Sequence, residues 1–89
     1  MKETPKSTPK TSSSKVAEKA LVLINDDYNT FDHVVDCLTS LCDHDPIQAE
    51  QCALLTHYKG SCEVLIGKDA ELELVKDDLD LYGLNVEIL

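Results

Sequence analysis

The chain opens its ordered pattern with an unbroken apolar run, Leu21-Val22-Leu23-Ile24, that passes directly into Asn25-Asp26-Asp27-Tyr28-Asn29. Branched aliphatic residues in so short a run suit a buried strand, whereas Asn and Asp favour turns and helix caps. Thr30 then caps a helix in which Phe31, Val34, Val35, Leu38, Leu41 and Cys42 recur at three- and four-residue spacing, the signature of one buried face. Asp43-His44-Asp45 interrupts that period. Asp45-Pro46-Ile47-Gln48 restarts it with an acidic cap, a proline at the first helical position and a glutamine three residues after the cap. This second helix is predicted from Pro46 to about Tyr58, with Ala49, Cys52, Ala53 and Thr56 inside, Leu54 and Leu55 adjoining, and Gly60 as its stop.

Past Gly60 the period changes to two. Cys62, Val64 and Ile66 alternate with Ser61, Glu63 and Leu65, which predicts a strand with the first set facing the core and Gly67 at its end. Asp69 is placed to cap a third helix with a narrow stripe of Leu72, Val75, Leu79 and Tyr82, and Gly83 ends it. Leu84, Val86 and Ile88 alternate with Asn85 and Glu87 as a last strand. The order βααβαβ gives an α+β fold: a small three-stranded antiparallel sheet packed by three helices. Residues 1–18, made of Lys, Ser, Thr and Pro with almost nothing to bury, read as a flexible extension before a core domain at 19–89.

Charge sharpens this division. Met1 to Lys19 carries a net +3, the remainder carries −12, and the chain has no arginine. An acidic surface repels phosphates, so nucleic-acid binding is excluded. No apolar run is long enough for a membrane span or a signal-peptide core, which gives a cytoplasmic location by default. Cys37, Cys42, Cys52 and Cys62 fall within the apolar periods and never as Cys-x-x-Cys, so they read as reduced core thiols rather than a zinc or redox motif.

The candidate chemistry sits where the first strand ends. Asn25, Asp26 and Asp27 put acceptor oxygens at one point, and no basic residue lies between Lys19 and Lys59 to neutralise them. A cationic group from outside is their natural partner. His57, at the end of the second helix, adds an acceptor nitrogen if the two element ends share a rim of the sheet. The plainer reading is that the acids only cap and turn while His57 complements the helix dipole. The same turn lacks the glycine and terminal glutamate of an EF-hand, and no nucleophile, phosphate loop or second histidine at ligand spacing accompanies it. An enzyme, a metal and a cofactor are therefore not expected.

Asn25-Asp26-Asp27-Tyr28, Gln48-Ala49 and Gln51, and His57-Tyr58-Lys59-Gly60, in this order and spacing, resemble the ClpS family of adaptors for the ATP-dependent Clp protease. The resemblance spans Lys19 to Leu89. It implies a non-enzymatic adaptor that binds N-degron substrates with N-terminal Leu, Phe, Tyr or Trp and hands them to the N-terminal domain of a ClpA-like or ClpC-like AAA+ unfoldase. By the same resemblance, Asn25, Asp27 and His57 match ligands of the substrate's α-amine, with Asp26 in the same acidic turn. Leu23 and Val34 match the wall of an apolar pocket, Phe31 stands where many members have Met at its mouth, and Ala53 where many have a larger Met. Tyr58, Glu71 and Lys76 fall near positions that touch the unfoldase, and the extension at 1–18 is similar in character to the family's delivery tail. A second reading is a protein-interaction domain similar to the C-terminal domain of the ribosomal stalk protein, without the pocket.

Overall fold

A computed structural model describes residues 18–89, so the extension at 1–18 lies almost wholly outside the described residues. The elements run β1 (Lys19–Ile24), α1 (Phe31–Leu41), α2 (Pro46–Lys59), β2 (Ser61–Gly67), α3 (Asp69–Leu81) and β3 (Val86–Ile88). This is the expected βααβαβ order. The sheet is antiparallel with strand order β2-β1-β3, so the first strand is the central one.

Caps fix where the helices begin. The Thr30 hydroxyl accepts from the His33 N–H at 3.1 Å, and the Asp45 carboxylate accepts from the Gln48 N–H at 2.9 Å, each satisfying an amide that lacks an intrahelical partner. α3 differs from expectation: Lys68 is its N-cap and Asp69 its first helical residue. The Glu71 carboxylate reaches back to the Lys68 N–H at 3.4 Å, which leaves Asp69 free to favour the positive end of the helix dipole. α2 ends at Gly60, whose φ of 97° is open to glycine at little cost.

The core lies between the helices and one face of the sheet. Leu21 and Leu23 of β1 meet Leu38 of α1, Ala49 and Cys52 of α2, and Leu72 and Leu79 of α3. Register explains one departure in β2. Leu21 pairs with Leu65 but Val22 pairs with Glu63, so Val64 is an extra residue in β2, a β-bulge. The bulge reverses the alternation: Cys62 and Val64 turn inward as expected, Leu65 packs on the core, and Ile66 is 63% exposed. The carbonyl of Val64 accepts from His44 Nε2 at 2.8 Å. His44, read from sequence as part of a polar break, is thus buried at 7% exposure. Two ends also shift: Tyr82 caps α3 half-exposed rather than extending its buried stripe, and the last strand begins at Val86, with Leu84 buried before it.

Candidate functional site

The backbone joins the two element ends that sequence reading set apart. The Asn25 N–H, just past β1, donates to the Gly60 carbonyl, just past α2, at 2.9 Å. Chain direction makes this possible, because α2 ends over the start of β2 and Ser61 pairs with Ile24. The Asn25–Asn29 turn and His57 therefore face one cleft of about 430 Å³. That volume is within the range of about 300–1,000 Å³ usual for small-ligand pockets.

The rim is polar and the wall apolar. Asn25, Asp26, Asp27 and His57 supply polar atoms, while Leu23, Phe31, Val34 and Ala53 supply apolar surface. All eight residues named from sequence for the amine and the first side chain line this one cleft. Sequence reading did not name Asn29, Leu54, Thr56, Ile24 and Leu84, which line it too. Thr56, whose spacing marks it only as a helix interior residue, is buried and its hydroxyl donates to the Cys52 carbonyl at 2.9 Å. Leu84 sits in the α3–β3 connection, where no periodicity points to a cleft. Tyr58, Glu71 and Lys76 lie outside the lining. Tyr58 is exposed, its ring edge-on to His57 at 5.0 Å, and Lys76 pairs with Asp80 at 2.8 Å.

The acids of the turn are not equivalent. Asp26 Oδ1 accepts from the Tyr28 N–H at 2.8 Å and the Asn29 N–H at 2.9 Å, and Oδ2 accepts from Asn29 Nδ2 at 2.8 Å. Burial pushes the Asp26 carboxyl up, but these three hydrogen bonds outweigh it and hold it below its ordinary value of 3.8. Asp26 is thus taken up by the turn. Asp27 and Asn25 are exposed on the same turn, and no hydrogen bond ties either side chain to the rest of the described residues. The turn itself is anchored to the α3–β3 connection, because Asn29 Nδ2 also donates to the Gly83 carbonyl at 3.0 Å.

Fold and site together define a small α+β recognition domain with acceptors rimming an apolar cleft. The sequence profile of ATP-dependent Clp protease adaptor protein ClpS matches residues 15–87, and the chain belongs to the ClpS family. No curated protein matches it by sequence. Among solved structures, Agrobacterium tumefaciens ClpS2 bound to L-phenylalaninamide has the same fold, with a TM-score of 0.75 over 81% of this chain and 94% of that one, at 22% identity.

Proposed function

We propose that this chain binds the free α-amine and bulky apolar side chain of N-degron substrates in the cleft and delivers them to a Clp AAA+ unfoldase. The observation that carries the reading is the Asn25 N–H to Gly60 C=O bond, which brings Asn25 and Asp27 to His57 over an apolar wall. An α-ammonium group has three donors in a fixed cone. Asn25 Oδ1, an Asp27 carboxylate oxygen and the acceptor nitrogen of a neutral His57 are three acceptors at one rim. Leu23, Phe31, Val34 and Ala53 take the first side chain. A charged amine beside Asp27 gains both Coulomb attraction and a charge-assisted hydrogen bond, about 1.5–3 kcal/mol for each such bond. Asp26 holds the turn in place rather than touching the amine.

The bound L-phenylalaninamide of the Agrobacterium neighbour is a ligand of this chemistry, a free amine next to an aromatic side chain. It supports Phe as a first residue; Leu, Tyr and Trp are proposed alongside it as apolar side chains of similar bulk. A plain interaction domain of the stalk-protein type would have no use for a lined cleft. Residues 1–18 serve delivery, and exposed Tyr58 and Glu71 together with Lys76 offer the face for the unfoldase's N-terminal domain, ClpA-like or ClpC-like. Among the described residues no helix is long and apolar enough to cross a membrane, which is compatible with work in the cytoplasm. The test is a peptide with N-terminal Phe against its N-acetylated twin, measured by fluorescence anisotropy. Acetylation is expected to cost at least about tenfold in affinity; equal affinities would overturn the reading.

A further inference from the structure

Outside the cleft, two thiols on different elements converge on one oxygen. Cys52 Sγ of α2 and Cys62 Sγ of β2 both point at the Glu63 carbonyl, at 3.9 and 3.3 Å. Cys52 is buried and Cys62 half-buried, whereas Cys37 and Cys42 are both buried. We infer that Cys52 and Cys62 are a redox modification site, which a low-molecular-weight disulfide such as oxidised glutathione converts to an internal disulfide joining α2 to β2.

Accessibility sets the order of events. The Cys62 thiolate attacks one sulfur of oxidised glutathione, forms a mixed disulfide and releases one glutathione thiolate. Cys52 then loses its proton, attacks Cys62 Sγ and releases the second glutathione. One S–S bond replaces two thiols in the protein, one disulfide becomes two thiols in solution, and the released thiolates take up the two protons. Burial, with Cys62 next to it, pushes the Cys52 thiol up, and burial and Cys37 push Cys42 up to about 11. Half-buried Cys62 is consequently the entry point and Cys52 the slower, resolving partner.

The bridge closes a ring over residues 53–61. Four cleft residues, Ala53, Leu54, Thr56 and His57, lie inside that ring, and so does the Gly60 carbonyl that holds Asn25. Drawing the two sulfurs from their separate contacts into bonding distance, about 2.05 Å, shifts α2 against β2 next to His57. Oxidation therefore weakens the cleft. This consequence rests on the amine-binding reading; the bridge itself does not.

The experiment uses the full chain incubated with oxidised glutathione, followed by intact mass and peptide mapping. A loss of two hydrogens with Cys52 joined to Cys62 is expected, together with phenylalaninamide affinity about tenfold lower than in the reduced protein, the equivalent of one lost charge-assisted hydrogen bond. Cys52→Ala is expected to stop at a glutathione adduct on Cys62, and Cys62→Ala to leave Cys52 unmodified. A persistent Cys62 adduct in the wild type, or a bridge mapped to Cys37 or Cys42, overturns the site. A mapped bridge with unchanged affinity overturns the effect on the cleft. If the reduced protein binds no amine at all, the functional reading fails while the mapping still decides the bridge.

Discussion

Asp26 and Asn29 are locked together by two hydrogen bonds, one from the Asn29 N–H and one from its side-chain amide, while the Tyr28 N–H gives Asp26 a third, and the same Asn29 amide reaches across to Gly83. In a turn with two adjacent aspartates, this splits their roles. Asp26→Ala is expected to cost about 1 kcal/mol of stability, the scale of losing a half-buried side chain that satisfies several turn donors. Asp27→Ala is expected to change stability by less than about 0.5 kcal/mol and to lower phenylalaninamide affinity at least about tenfold. Urea melts and calorimetric titration of both variants check the split; similar stability losses from the two would contradict it.

Acid should release the same lock. The folded Asp26 carboxyl titrates below its ordinary value of 3.8, so its contribution is present above that value and is lost as pH falls through the folded value. Wild type is thus expected to be more stable than Asp26→Asn at pH 6, and the gap to narrow as pH falls below 3.8. Because the group is partly exposed, the gap stays under about 1 kcal/mol. Melting temperatures of the two proteins across this range give the answer.

Ala53 leaves room in the wall that a longer side chain would fill. Ala53→Met is expected to raise the preference for Leu over Ile as first residue toward about tenfold, since a methyl group excluded from a fitted pocket is worth about 1–3 kcal/mol. Phe31, 43% exposed at the cleft, is free to stack on aromatic first residues for about 0.5–1.5 kcal/mol, so Phe31→Ala should weaken Phe and Trp more than Leu. A peptide series varying only the first residue reads both. An unchanged Leu-to-Ile ratio would show that Ala53 does not touch the first side chain.

His44 holds the bulge. His44→Ala is expected to cost about 2–3 kcal/mol, because it leaves the Val64 carbonyl without its partner and opens space in a buried site. Urea denaturation measures it, and a loss under about 0.5 kcal/mol would mean that the bulge stands without this histidine.

Deleting residues 1–18 is expected to leave phenylalaninamide affinity and melting temperature nearly unchanged, and to impair degradation of a model N-degron substrate by the Clp protease. Full degradation by the shortened chain would remove the delivery role.

Most of the fold was legible because local chemistry and burial agree in it. Thr30, Asp45-Pro46 and Gly60 mark helix ends through hydrogen bonds and backbone freedom that need only neighbouring residues. The bulge at Val64 was not legible, since Leu65 and Ile66 are both apolar and only pairing with β1 decides which one turns inward. His44 was missed for a similar reason: its partner, Val64, lies 20 residues away. The roles of Asp26 and Asp27 carried a faint signal, an Asp followed at three residues by Asn before a cap, but the turn that separates them depends on the distant Gly83 carbonyl. Leu84 and Leu54 entered the cleft through tertiary packing alone.

Because the first strand is the middle one, a ribosome must pass Val86–Ile88 before the three-stranded sheet can be complete. β1 gains one neighbour only when Ser61–Gly67 has been made, and the other only with Val86–Ile88; Leu89 then closes the ladder with two bonds to Ala20, at 3.0 and 2.8 Å. Leu84, a wall of the cleft, and Gly83, the anchor of Asn29, also come late. These long-range closures make folding slow relative to helix formation and hold its completion until the last of these residues has been made. A chain stopped before Leu84 consequently lacks a wall of the cleft and the anchor of its rim turn, so it displays the acceptors of Asn25 and Asp27 without the cavity beneath them.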